Sequence, residues 1–440
     1  MTNNDPRQTI ALSPMTVLQV VAVVITIGLN ALDGFDVLSI SFASPGIAKE
    51  WGIDRGALGV VLSMELIGMA IGSLTLGGVA DRIGRRLTML GCLVVMAAGM
   101  YMASLSTGVG DLKLWRLITG LGIGGMLAAT NAAAAEFSNQ KYRNLCVSLM
   151  AIGYPIGAVI GGTVVVDLLK GSDWRAVFHF GAIVTVLFIP LVALLVPESV
   201  YWLCQKQPRN ALQRVNGSLA RLGHATVTAL PALEAAAHRR SIADILKPGL
   251  LGTTLLITLA YFLHITTFYY PLKWVPKIVV DMGFAPSSAA GVLVWANIGG
   301  ALGGAALGLL TRRIALKTLT IAVLLASTLM VNVFGRGQAD LHQLATICAL
   351  TGFFTNAGVV GLYALFAQVF PTHVRATGTG FAIGVGRGGA ALAPMIAGFL
   401  FQAGYGLQAV SLFISVGSLF AVAALFALRA RAAEEIALRS

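Results

Sequence analysis

Long apolar stretches alternate with short polar breaks along nearly the whole chain. The breaks delimit twelve apolar segments, over about residues 17–43, 57–79, 87–106, 112–135, 145–168, 175–196, 250–272, 287–310, 316–335, 342–366, 376–402 and 408–428. A helix needs ~20 such residues to cross the hydrocarbon core of a bilayer. In lipid every backbone polar group must be satisfied within the segment, so segments of this length are helices. The pattern predicts an all-α membrane protein with 12 transmembrane helices. One polar interruption is long. Residues 197–249 carry prolines and glycines that break helices, including Pro197, Pro208, Gly217, Pro231 and Pro248, with Arg209, Arg214 and Arg221 among them. This is read as a connector with short surface helices, one of them near 232–240. It separates a six-helix half, 1–196, from a second six-helix half with its tail, 250–440.

The halves are related to one another. At an offset of 231–232 residues, Thr119-Gly120 falls on Thr351-Gly352, Glu136 on Gln368, Arg143 on Arg375, and Gly77–Arg86 on Gly308–Lys317. Duplicated six-helix halves place a ligand site near the bilayer midplane between repeats, with rocking of one half against the other as the natural motion.

Composition agrees with this reading and limits it. Charged residues are 11% of the chain and apolar residues 57%, against roughly 25% charged in soluble domains. The net charge of +12 is a topology signal rather than a nucleic-acid signal. With both termini in the cytoplasm, most Lys and Arg outside the spans fall on the cytoplasmic side, Arg82, Arg85 and Arg86 among them. Cys92, Cys146, Cys204 and Cys348 are scattered and suggest neither a disulfide framework nor a metal site. No paired catalytic residues or phosphate-binding loop are evident, so an enzyme is not expected.

Charges inside the spans carry the candidate chemistry. Asp33 and Asp36 lie in the first apolar segment. Each costs at least ~2.5 kcal/mol near the bilayer centre, so the pair needs a reason. Three residues apart on a helix, they share a face. Burial disfavours a charged carboxylate, so such a group takes a proton on one side and releases it when its surroundings change. Arg387 sits mid-span among Gly384, Gly386, Gly388 and Gly389. Its planar fork suits a substrate carboxylate, or an ion pair with Asp33 or Asp36. Arg116, toward the outer end of the fourth span, is read either as a coupling residue or as a snorkelling side chain. His264 aligns within one residue of Asp33 across the repeat and is a second candidate titrating group.

Several motifs resemble a known family. Gly77-Gly-Val-Ala-Asp81-Arg82-Ile-Gly84-Arg85-Arg86 resembles the signature loop between helices 2 and 3 of the major facilitator superfamily. Arg116-Leu-Ile-Thr-Gly120-Leu-Gly122-Ile-Gly124-Gly125 is similar to its helix 4 motif, and Pro197-Glu198-Ser199 with Trp202-Leu203 to the end of helix 6 in its sugar-porter branch. Asp33-Gly-Phe-Asp36 and Gly384-Val-Gly386-Arg387-Gly388 resemble the aromatic acid/proton symporters. The resemblance implies the major facilitator fold and a monomer in the bacterial inner (cytoplasmic) membrane. It implies import of a benzoate-like acid with protons, driven by the proton gradient without a cofactor. Functional charges are then expected at Asp33, Asp36 and Arg387. A carrier of a non-aromatic organic acid or sugar-like substrate, or a drug/proton antiporter, is the alternative.

Three further expectations follow. Tyr154, Tyr261, Trp295, Asn297 and Tyr363 are candidate cavity-wall residues, with Asp36 and Arg387 beside the substrate. Tyr269, Tyr270 and Trp274 read as an outer interfacial belt. Asp81, Arg82, Arg85, Arg86, Glu136, Arg143 and Arg375 are expected to form a cytoplasmic gate of networked ion pairs. That gate should be asymmetric, because Arg312 and Gln368 replace its acids in the second half. Gly153, Gly157 and Gly161 form a close-packing stripe, which the resemblance places at the contact between halves.

Overall fold

The computed structural model describes residues 5–232, 242–337, 339–370 and 374–437. The surface helix expected near 232–240 falls outside them, but for its first residue. The described residues form sixteen helices. They are α1 (Pro6–Leu12), α2 (Val17–Trp51), α3 (Arg55–Ile83), α4 (Arg85–Ser104), α5 (Val109–Phe137), α6 (Arg143–Gly171), α7 (Arg175–Leu195), α8 (Val200–Lys206), α9 (Ala211–Arg221), α10 (Ile242–Ile245), α11 (Pro248–Asp281), α12 (Pro286–Leu310), α13 (Leu316–Gly335), α14 (Leu341–Val369), α15 (Arg375–Gln402) and α16 (Leu407–Ala437). Twelve of these, α2–α7 and α11–α16, are long and apolar enough to cross a membrane. They coincide one for one with the twelve apolar segments. Several run further than the apolar pattern suggests. The first continues through Pro45 to Trp51, and the seventh passes Pro271 and Pro276 to reach Asp281.

Contacts divide the chain into two compact units. The first comprises Met1–Val37, Gly68–Ala158 and Arg175–His238, and the second Leu38–Ile67, Val159–Trp174 and Arg239–Ser440. The division cuts α2, α3 and α6, whose remaining segments belong to the second unit.

In the first unit, glycine lets α3 lie directly on α5. A Cβ on Gly68 would sit 2.2 Å from the Leu117 carbonyl oxygen, and one on Gly72 2.2 Å from that of Leu121. The second unit repeats the contact between α12 and α14. There Gly299 and Gly303 meet the carbonyls of Ala349 and Phe353, at 1.9 and 2.0 Å. The glycines are 231 residues apart and the carbonyls 232, the offset at which the motifs align. The duplication is therefore also a duplication of backbone packing, of the kind small residues permit between membrane helices.

In the same first unit α2 lies equally close to α6. Cβ atoms on Gly153 and Gly157 would lie 2.5 and 1.7 Å from the Ile27 and Ala31 carbonyls, and one on Gly34 2.0 Å from that of Tyr154. Gly153 and Gly157 thus pack against the first membrane helix, of their own half.

Candidate functional site

In the first unit, α2 carries Asp33 and Asp36 into the interior, where they are 2% and 0% exposed. Three elements fix this stretch. Gly34, between the aspartates, seats α2 on the Tyr154 carbonyl of α6. Phe35 meets Phe180 of α7 edge-on, with ring centroids 5.2 Å apart. The Asp36 carboxylate lies against Gly181 of α7, where a Cβ would be 3.3 Å from Oδ1. From α5, fully buried Arg116 donates to the Asp36 carbonyl oxygen at 2.9 Å and to Met100 Sδ at 2.8 Å. Its guanidinium lies over the Phe178 ring, 5.2 Å from the centroid. The snorkelling alternative for Arg116 is thereby excluded. Tyr154, half-buried, completes the group.

In the second unit, α11, α14 and α15 bring together aromatic side chains and a cation. The Tyr261 and Tyr363 hydroxyls are hydrogen-bonded at 3.0 Å, and Phe366 packs edge-on against Tyr261 with centroids 5.5 Å apart. The Tyr261 ring lies on the α15 backbone at Gly386, where a Cβ would fall 2.0 Å from Cε1. The next residue is Arg387, half-buried and within electrostatic range of the Tyr261 hydroxyl. Trp295 and Asn297, both on α12, have no described contact with this cluster. Trp295 is 53% exposed, and the Asn297 amide donates to the Leu293 carbonyl of its own helix at 2.8 Å. His264 is fully buried, with Nε2 2.9 Å from the Thr355 carbonyl oxygen and Nδ1 2.8 Å from the Ser418 hydroxyl. A carbonyl only accepts, so Nε2 carries a proton. This geometry ties α11 to α14 and α16.

Two of the three expected belt residues are corrected. Tyr270 and Trp274 are 0% and 1% exposed. Tyr270 is bonded to the Ser411 hydroxyl at 2.8 Å, and the Trp274 indole donates to the Pro394 carbonyl at 3.2 Å. Because α11 continues to Asp281, both residues fall within the helix bundle of this unit.

The loop after α3 forms a charge network in the first unit. Arg85 bonds Asp81 at 2.7 Å and Glu136 at 3.0 Å, and donates to the Ala80 carbonyl at 2.9 Å. Arg86 donates to the Ala193 carbonyl of α7. Arg143 turns to the Ala135 carbonyl and the Tyr201 hydroxyl, at 3.1 and 3.0 Å. Arg82 and Arg375 are exposed, and Arg375 donates to the Phe370 carbonyl at 3.3 Å. At the centre is Glu198, whose Oε1 accepts from the backbone N–H groups of Arg85, Arg86 and Ser199 at 2.8, 3.3 and 3.0 Å. It thereby caps the start of α4. Gly84 allows this, with φ of 107° and no room for a Cβ, which would lie 2.3 Å from Glu198 Oε2. Burial raises the proton affinity of Glu198 despite these hydrogen bonds.

The family model of the Major Facilitator Superfamily matches residues 26–336. The chain belongs to the Major Facilitator Superfamily. This facilitator is 28% identical to the gallate transporter of Pseudomonas putida, over 96% of the chain and 94% of that protein. It is 30% identical to the 3-(3-hydroxy-phenyl)propionate transporter of Escherichia coli, over 92% and 94%. With the 4-hydroxybenzoate transporter PcaK of Pseudomonas putida it shares 28% identity, over 86% and 85%. Among solved structures, the D-xylose-proton symporter covers 93% of this chain and 97% of its own, with a TM-score of 0.72 at 18% identity, which shows the same fold. The protein is a multi-pass membrane transporter and not an enzyme.

Two features of this facilitator escape a reading of its sequence. Glu198 is visible there only as part of a motif, with no role attached. The second is an ion pair in the second unit, between Glu65 of α3 and Lys273 of α11. Both side chains are 0% exposed, with Nζ 3.7 Å from Oε2. The signal for Glu65 was present, because it is a carboxylate within an apolar span and subject to the same cost as Asp33. Lys273 was hidden by the apparent end of its span at residue 272.

Proposed function

We propose that this facilitator imports a small aromatic carboxylate together with protons, by alternating access. The observation that carries the reading is the cluster of Tyr261, Tyr363 and Phe366 seated against Gly386, beside Arg387. Aromatic rings stack or meet edge-on over a bound ring, while a guanidinium takes a carboxylate in two parallel hydrogen bonds. Gallate, 3-(3-hydroxyphenyl)propionate and 4-hydroxybenzoate, named for the relatives, each pair a hydroxylated ring with a carboxylate. The hydrogen-bonded tyrosine hydroxyls offer partners for such ring hydroxyls. In this reading the substrate contacts are Arg387, Tyr261 and Tyr363.

Protons are carried by Asp33 and Asp36. Both are buried, and Arg116 fixes the backbone at Asp36. A proton taken up there neutralises the charge that accompanies an anionic substrate. The Arg85–Asp81–Glu136 network, capped by Glu198, acts as the cytoplasmic latch. The protein works as a monomer in the bacterial inner membrane, with both termini in the cytoplasm, and the proton gradient replaces any bound cofactor. Purified protein in liposomes under an inward proton gradient tests this. Labelled 4-hydroxybenzoate should accumulate, and accumulation should collapse when the gradient does. Competition by sugars but not benzoates, or efflux in place of uptake, would overturn the assignment.

A further inference from the structure

In the first unit, the segment before α2 and the loop between α5 and α6 border a groove of about 910 Å³. That volume falls in the range of ligand pockets, roughly 300–1,000 Å³. Its lining is graded in polarity. Val20, Val24 and Ile27 of α2 and Leu145 and Leu149 of α6 supply an aliphatic wall, joined by Leu12 at the end of α1. The polar side chains come from the loop Asn139-Gln140-Lys141-Tyr142. Gln19 donates to the Phe137 carbonyl at 2.9 Å, so this loop stands level with the start of α2. From Val20 to Ile27 the wall then runs about 10 Å away from it, at 1.5 Å per residue.

The polar end is a built one. The Gln140 N–H donates to the Ala11 carbonyl at 2.8 Å, and the Asn139 amide to the Ser13 carbonyl at 3.1 Å. Asn139 Oδ1 in turn accepts from the Tyr142 N–H at 3.0 Å. These bonds tie the loop to the segment between α1 and α2. Lys141, held in that loop, is exposed, with Nζ 5.1 Å from the centroid of the Tyr142 ring. Among the described residues no carboxylate lies within ion-pair distance of it. Arg143 is turned away, to the Ala135 carbonyl and the Tyr201 hydroxyl. Lys141 is thus the cation at the rim of the groove.

This gradient selects the occupant. Val24 and Leu145 are 57% and 54% exposed on membrane helices, where such side chains meet acyl chains. A hydroxylated benzoate, polar at both ends of one ring, would press one polar end against the aliphatic wall without a hydrogen-bond partner. An amphiphile with one anionic end matches both parts. We propose that the groove binds an anionic phospholipid, with an acyl chain along the α2–α6 wall and the headgroup phosphate at Lys141. The lysine stem lies along apolar surface while its ammonium meets the headgroup. Glu136, three residues before the loop, bonds Arg85, so the orientation proposed above puts this site in the cytoplasmic leaflet. The binding itself does not rest on the transport reading.

The test is native mass spectrometry of the purified protein, titrated with phosphatidylglycerol or with phosphatidylcholine of the same acyl chains. The first phosphatidylglycerol should bind about fivefold more tightly than the first phosphatidylcholine, the ~1 kcal/mol that one lysine contributes at an anionic surface. Lys141→Gln should abolish that preference and leave phosphatidylcholine binding as it was. Lys206→Gln, at an exposed lysine of α8, is the control and should keep the preference. Val24→Trp crowds the aliphatic wall and should weaken first binding of both lipids about fivefold or more. Equal affinity for the two lipids in the wild type, or an undiminished preference in Lys141→Gln, would overturn the inference. Unchanged binding of both lipids in Val24→Trp would overturn it as well. Because binding is read directly, a failure of uptake overturns the functional reading alone.

Discussion

Gly386→Ala is a small change with a large expected consequence. The new Cβ would lie 2.0 Å from Tyr261 Cε1 and 2.2 Å from Cδ1, where ordinary contact begins at 3.4 Å. The ring must therefore retreat by 1.4 Å (3.4 less 2.0). It has little freedom to do so, because Tyr261 is 3% exposed, its hydroxyl is bonded to Tyr363 and its ring meets Phe366. Overpacking of this kind costs about 1–3 kcal/mol. If that strain falls on the wall of the substrate site, the half-saturating substrate concentration rises about 5- to 150-fold, at 1.4 kcal/mol per factor of ten. Gly388→Ala, on the other side of Arg387, is the control, since its Cβ would meet Phe262 at an ordinary 3.5 Å. The assay is initial uptake of 4-hydroxybenzoate against concentration, with thermal unfolding followed in parallel. Wild-type affinity in Gly386→Ala would refute the placement of Tyr261 in the site.

Other predictions follow from the same contacts. Arg387→Ala should lower uptake about tenfold or more, as expected for truncating one partner of a partly desolvated charge pair, with normal insertion by membrane fractionation; unchanged uptake removes Arg387 from the site. Of Asp33→Asn and Asp36→Asn, at least one should retain exchange while losing gradient-driven accumulation; if both accumulate substrate as wild type does, the proton is carried elsewhere. His224, in the segment after α9, sits 3.0 Å from Gln19 of α2 and burial lowers its proton affinity from the ordinary 6.5. The undocked segment then binds the proton more readily, so the contribution of His224 to docking is full above 6.5 and declines as pH falls below it. Hydrogen exchange in residues 211–227 should increase between pH 7 and pH 5, and His224→Gln should flatten that dependence.

The alternation of apolar and polar stretches was enough to count the membrane helices, because a span announces itself by length. Their ends were less legible. Once a helix leaves the apolar core it continues on hydrogen bonds alone, as α2 does through Lys49 and Glu50, and the hydropathy pattern does not register it. That error placed Tyr270 and Trp274 at an interface when they lie inside. Internal prolines do not end these helices: Pro45 and Pro276, beyond the apolar segments, are accommodated within them.

The charged residues divide in the same way. Asp33, Asp36 and Arg387 stood out because each interrupts an apolar run. What the sequence did not reveal was which partners they meet, since Arg116 reaches Asp36 across eighty positions and Tyr261 reaches Gly386 across more than a hundred. Glu198 was less visible still, because a carboxylate in a loop looks exposed until three backbone N–H groups are found converging on it. The repeated glycine contacts of α3 with α5 and α12 with α14 were legible in principle, at the offset the motifs share.

The measurement that tests the central claim most directly is uptake of labelled 4-hydroxybenzoate by the purified wild-type protein in liposomes, with and without an inward proton gradient. The account predicts accumulation above the external concentration that depends on the gradient and is blocked by unlabelled benzoates but not by xylose. Equilibration without accumulation, or indifference to the gradient, would contradict it.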